Sequence, residues 1–312
     1  MPNENVPRLN IACENAGQLL ERLRPGDPIW RGGDYKRWLF RGQWDSTWDL
    51  VPSAFRAHTH FVHRGQEACI KETVKEQLDM EKSLISDFYE LVNETGLKVP
   101  GDVRDIEDPK DPLLYSAIED VRWPPEFFIE LTAIAQHHGV PTRFLDFTYS
   151  ALVAAFFSVF VFLQGRSDSI ATTAEADGGN FAVWGIDGDF MDKAWPRYSK
   201  MSRLRQVVVS GFDNVFLQRQ NGLFIYDTEA SKNVNDRGYQ TINEAIEQAA
   251  LADISQRKNL ELVPAIIKLE APQKEAKELL RQLEKQRVNR AYLMPTYDNV
   301  RKTISDRHFI LA

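Results

Sequence analysis

Two cysteines, Cys13 and Cys69, cannot build a disulfide framework in 312 residues, and no Cys-x-x-Cys pair offers a zinc site. So little thiol is expected of a protein in a reducing cytoplasm. The opening "MPNENVPRLN" is polar and lacks the apolar run of a signal peptide. A membrane span is missing too. Phe147 to Gly165 carries no charge, but Thr148, Tyr149, Ser150, Ser158 and Gln164 interrupt it. Its apolar part begins only at Ala151 and falls short of the roughly 18–20 residues a span needs, so a buried core helix is expected. Positive charge is not in excess: Lys and Arg total 38 against 45 Asp and Glu, a net charge of -7. That excludes a general nucleic-acid-binding surface while leaving room for a local basic pocket. No P-loop, G-x-G-x-x-G, G-x-S-x-G or zinc-protease helix occurs, and no repeat or low-complexity block stands out.

What remains is an ordinary globular composition, 43% hydrophobic and 27% charged. "NAGQLLERLRPGD" reads as a helix stopped by Pro25-Gly26. "WLFRGQ" reads as a strand with Trp38 and Phe40 on one face, Leu39 and Arg41 on the other. Thr73 to Asn93 reads as a long amphipathic helix, and Gly96 to Pro125 as a long surface connection. "PEFFIELTAIAQHHG" reads as a helix ended by Gly139 and Pro141. Ser150 caps the buried helix, and "GRSDSIATTAEADGGN" reads as a loop. "FAVWGI", "QVVVSG", "GLFIYD" and "LELVPAIIKLE" read as strands, with Pro264 demoting part of the last. "PQKEAKELLRQLEKQRV" reads as a helix and "AYLMP" as a late strand. Without regular βαβ alternation, the expected class is α+β: mixed, mostly antiparallel sheets packed with helices. The chain is read as a single domain over 1–312. Its core motifs run from about 38 to 300, and a helical and loop insertion covers about 64–125.

Three segments concentrate polar chemistry. In "WLFRGQWDSTWDLVPSAFR", Arg41 offers a fork of donors suited to phosphate or carboxylate. Gly42 removes a side chain beside it, and Gln43 shares its strand face. Arg41 either anchors an anionic ligand or pairs with a carboxylate such as Asp146 to hold the fold together. "AQHHGVPTRFLDFT" brings His137, His138, Thr142, Arg143 and Asp146 into one turn between apolar helices, where polar groups need partners. Either histidine suits a proton-transfer or hydrogen-bonding role, or fills the turn. In "NVFLQRQNGLFIYD", Gln218 and Gln220 flank Arg219. Gly222 admits close approach of a ligand, or Asn221-Gly222 forms a turn. His58, His60, His63 and Glu67 fit no metal-ligand spacing, and no metal site is expected.

Taken together, these segments resemble the FRG-domain family, named for Phe40-Arg41-Gly42. The blocks "FRGQWDSTWDLVPSAFR", "AQHHGVPTRFLDFTYSALVAAFF", "RQNGLF" and "YLMPTYDNV" carry the likeness. More distantly, the aromatic-Arg-Gly strand is similar to the first motif of arginine-type ADP-ribosyltransferases, in which that arginine helps to bind NAD. This likeness implies an ADP-ribosyltransferase-like fold. It implies NAD as substrate, with Arg41 as a binding residue and Gln220 at the catalytic position. From the polar segments, Gly42, Gln43, His138, Thr142, Arg143 and Asp146 are the further candidate binding residues, and His137 is the second catalytic candidate. Where the last motif of those enzymes ends in a catalytic Glu, Gln218-Arg219-Gln220 ends in glutamine, which orients a hydroxyl but carries no charge. The Ser-Thr-Ser motif of that class is not evident. The resemblance implies a cytoplasmic NAD-binding enzyme, of the bacterial toxin or defence-effector kind, with a protein acceptor favoured over bulk nucleic acid. A non-catalytic module for a nucleotide or other phosphate-bearing ligand, or a protein-interaction domain, is the alternative.

Overall fold

A computed structural model describes residues 7–30, 37–98, 123–167, 178–196, 202–208, 215–234, 239–256 and 264–311. Seven strands form one sheet: β1 (Arg8–Ala12), β2 (Trp38–Gln43), β5 (Phe144–Thr148), β6 (Asn180–Asp187), β7 (Leu204–Val207), β8 (Gly222–Asp227) and β9 (Ile266–Pro272). Their order is β1-β9-β6-β2-β5-β8-β7. Only β1 and β9 run parallel; the other neighbours are antiparallel. A separate two-residue hairpin joins β3 (Val62–His63) and β4 (Gln66–Glu67). The fold is α+β, with helices packed on a mixed, mostly antiparallel sheet.

Alternation along the central strands sorts the core. Trp38 and Phe40 of β2 face α1 (Ala16–Arg22) and the apolar helix α4 (Ala151–Ser167), in a cluster that includes Trp30, Phe156 and Phe181. Leu39 faces the opposite side with Leu145, Trp184 and Ile225, where helix Ile242–Gln256 covers the sheet. A third cluster lies under α2 (Val74–Glu94) and α3 (Ile129–His137), built on Phe55, Leu84, Trp123 and Leu131. Thr73 caps α2 by a reciprocal pair of bonds with Glu76. Gly139 ends α3 in the left-handed region, φ 86°. Ser150 Oγ accepts from the Val153 N–H at the start of α4. No helix among the described residues is long and apolar enough to cross a membrane.

The sheet has one gap in it. β2 and β5 are neighbours but pair at a single position, Phe40 with Thr148, although β2 pairs with β6 over all six residues and β5 with β8 over all five. Beyond Phe40 the two strands part. On one side of that split Gly42 lies against α4, where a Cβ would stand 2.0 Å from the Ala154 carbonyl oxygen.

Three expectations change. "AYLMP" is not a strand: Arg290–Leu293 is a helical turn, capped by Asn289, whose side chain accepts from the Tyr292 N–H at 2.9 Å. The strand near "QVVVSG" is shifted to Leu204–Val207. Pro264 precedes β9, which begins at Ile266. Most of the two expected loop segments, 99–122 and 168–177, lies outside the described residues.

Candidate functional site

A cavity of about 370 Å³ opens at the split between β2 and β5. Arg41 and Gly42 reach it from β2, His137 from the end of α3, Asp146 from β5, and Gln220 from α5 (Val215–Gln220). Phe40, Phe147, Phe157 and Phe224 give it aromatic walls, and Met294 closes one side.

Arg41 occupies the gap left by the missing ladder. Its Nη1 donates to the Asp146 carbonyl oxygen at 2.8 Å, filling the place of an absent backbone donor. The same nitrogen stands 3.6 Å from Asp146 Oδ2. The Arg41 side chain is 15% exposed and that of Asp146 53%, so the guanidinium is held inside while the carboxylate meets solvent. The buried Nε–H of Arg41 has no hydrogen-bond partner. Burial pushes the Arg41 guanidinium down to about 10; Asp146 opposes the shift and Arg56 adds to it. It stays a cation at neutral pH.

The same carboxylate oxygen of Asp146 has a second donor. Gln136 Nε2 donates to Asp146 Oδ2 at 3.3 Å. Gln136 Oε1 in turn accepts from Thr142 Oγ1 at 2.8 Å and Ser53 Oγ at 3.3 Å. Thr142 itself is buried and does not line the cavity, so it acts through Gln136. His137 is half-buried, 5.4 Å from the ring of His138 and 5.5 Å from that of Phe216. Burial, then repulsion from His138, lowers its pKa, with Asp146 opposing. Neutral imidazole is therefore the form that faces the cavity at pH 7.

Besides Thr142, four expected binding residues lie elsewhere or act differently. Arg143 is 1% exposed and outside the cavity: Nε and Nη2 grip both oxygens of Glu81 at 2.8 and 2.9 Å, and Nη1 donates to the Trp123 carbonyl at 3.0 Å. Every direction of its fork is spent on the fold. Gln43 is locked between the Trp184 indole N–H, 2.7 Å, and the Asp49 carbonyl, 3.2 Å. His138 is exposed at the end of α3 and does not line the cavity. Gly42 lines it, yet its missing side chain is required by α4.

Gln220 lies at the cavity from a helix end. Its Nε2 donates to the Leu293 carbonyl at 3.3 Å, and its own carbonyl accepts from Thr148 Oγ1 at 2.6 Å. Asn221 then turns the chain into β8 with φ 52°. Gln136 and Met294 were not among the expected site residues. A glutamine directly before the paired histidines was the only signal for the first, and the "YLMP" block the only one for the second. Of the histidines upstream, His63 Nε2 meets Asp87 at 2.8 Å, while Glu67 accepts from the backbone N–H groups of Thr59 and His60. Among the described residues no group of three metal-ligating side chains gathers.

The FRG-domain family matches residues 36–162. The chain carries an FRG domain. The match takes in β2, α3, the polar turn, β5 and most of α4, and so Arg41, Gln136, His137 and Asp146. Gln220 and Met294 complete the same cleft from beyond the matched FRG region. No curated protein and no solved structure gives a significant match.

Proposed function

We propose that the FRG-domain cleft binds the nicotinamide end of NAD and that the protein is an ADP-ribosyltransferase-like enzyme. One observation carries the reading: Arg41 and Asp146 stand 3.6 Å apart at the edge of an aromatic-walled cavity, neither sealed into the core. A ligand that joins a flat ring to anionic and hydroxyl oxygens suits that combination. The Phe walls take the ring. Arg41, with an Nε–H still unpartnered, takes an oxygen of the ribose or phosphate. The cavity is at the small end of the ~300–1,000 Å³ range of ligand pockets, so it accommodates one base-and-ribose half of the dinucleotide.

Asp146 supplies the negative charge that Gln220 lacks. As the bond between the nicotinamide nitrogen and ribose C1′ breaks, its electron pair goes to the ring nitrogen and cancels the charge there. Positive charge develops at C1′, and a carboxylate held by Gln136 stabilises it without reorganising. An acceptor oxygen or nitrogen then adds to C1′ and loses its proton to neutral His137 or to water.

Incubation with NAD and chromatography of released nicotinamide tests this, with a protein extract and nucleic acids supplied in turn as acceptors. Release is expected, reduced about 100-fold or more in Asp146→Asn, which keeps the size of the side chain. A folded wild-type protein that binds NAD but releases no nicotinamide under any acceptor would leave the second reading, a non-catalytic nucleotide-binding module. That reading is favoured by one residue: glutamine at 220, where the resemblance leads one to expect a carboxylate.

A further inference from the structure

The cleft at Arg41 has a neighbour. A groove of about 880 Å³ lies against it, and Val153 lines both. Gln220, which lines the cleft, donates to the carbonyl of Leu293, which lines the groove, at 3.3 Å. The groove's lining contains two arginines, Arg219 and Arg287, and not one acidic residue, on a chain whose net charge is -7. Among the described residues neither guanidinium meets a carboxylate. Arg219 instead stands 5.0 Å over the ring of Tyr292, which is 46% exposed. Arg287 is placed on the rim by a left-handed backbone, φ 60°, which a residue with a side chain adopts only at some cost.

An exposed aromatic face with two unneutralised guanidiniums beside it is chemistry for a base linked to phosphates. We infer that this groove takes the adenosine diphosphate half of the dinucleotide whose nicotinamide end enters the cleft. The inference rests on the NAD reading, and it accounts for a cavity at Arg41 that holds only one half of that ligand. The dinucleotide crosses from one space to the other over Val153. Its phosphates meet Arg219 and Arg287, and the adenine lies against Tyr292.

Calorimetric titration of the full chain with NAD, nicotinamide mononucleotide and ADP separates the two sites. Arg219→Ala and Arg287→Gly are the informative variants. Both positions are exposed, and glycine suits the backbone at 287. NAD and ADP are expected to weaken about tenfold or more in each, with nicotinamide mononucleotide unchanged. Tyr292→Phe should bind as the wild type does. If both variants bind NAD and ADP normally while Arg41→Ala loses NAD, the groove is unused and the cleft reading survives. If ADP binds through Arg219 but neither NAD nor the mononucleotide binds, the groove stands as a nucleotide site and the NAD reading falls. No binding of any of the three overturns both.

Discussion

Arg41 projects from β2 and Arg143 precedes β5, and what separates them is the position of the carboxylate each meets. Arg143 closes on Glu81, 2% exposed, and vanishes into the core. Arg41 faces Asp146, whose carboxylate is exposed, and keeps a buried Nε–H without a partner. Gly42 shows a comparable economy of space. A methyl group there would meet the Ala154 carbonyl at 2.0 Å and the Ser158 nitrogen at 2.4 Å, both backbone atoms that cannot swing aside. Gly42→Ala is expected to destabilise the fold by at least about 3 kcal/mol, the upper end of ordinary overpacking, read as a lower denaturation midpoint; an unchanged midpoint would contradict the packing. His137 makes a pH-dependent prediction. Its folded pKa lies below the ordinary 6.5 because burial and His138 resist the proton. Under about pH 6.5 the unfolded chain binds a proton that the folded chain refuses. Stability contributed by this site therefore falls as pH drops from 6.5 through the lowered folded value, then levels off. Urea unfolding at pH 7.5 and 5.5 should show a smaller difference in His137→Gln than in the wild type. Equal differences would mean that the imidazole is not resisting protonation.

At the level of elements, α2 matters to the cleft without touching it. It brings Glu81 beneath the turn that leads into β5, where Arg143 ties together α2, the Trp123 carbonyl and Ser231 Oγ, 2.6 Å away. Glu81→Ala leaves a buried guanidinium uncompensated and is expected to cost about 3–5 kcal/mol. Glu81→Leu with Arg143→Met should recover at least half of that loss, because the pair would then be gone together; denaturant midpoints of the three proteins decide it. These elements differ in how readable they were. "WLFRGQ", "FAVWGI" and "GLFIYD" are legible because each is a short run rich in aromatic and branched apolar residues, the mark of a strand buried on both faces, and Thr73 to Asn93 because its apolar spacing and cap agree. "AYLMP" alternates like a strand but follows Asn289, and the cap decides for a helical turn. Within the site, Arg41, His137 and Asp146 were legible as a group because short motifs name reactive residue types. Arg143 was not separable from Arg41, since its partner lies 62 residues away and nothing local marks it. Gln136, Phe157 and Met294 were hidden for a different reason: a cavity wall uses the same residues as a core.

The whole molecule enters through the way the cleft is assembled. Its walls come from residues as far apart as Phe40 and Met294, brought together by the split between β2 and β5 and by helices from the middle and later parts of the chain. No single hairpin or helix pair holds the site, so ligand binding is linked to the folding of the sheet rather than to one local segment. A ligand that binds the folded chain alone adds RT ln(1 + [L]/Kd), about 2.7 kcal/mol at a hundred times Kd. For a chain of this length that is a rise of a few degrees in Tm. Buried Trp30, Trp38 and Trp184 report on the sheet and the helices against it, so tryptophan fluorescence and far-ultraviolet circular dichroism should shift together when NAD is added. The shift should disappear in Arg41→Ala, whose own midpoint, measured without ligand, sets the baseline. A shift seen by one probe and not the other would mean that the ligand stabilises a part of the chain and that the cleft is not built from the whole. A shift of full size in Arg41→Ala would place the binding somewhere other than the gap that this arginine fills.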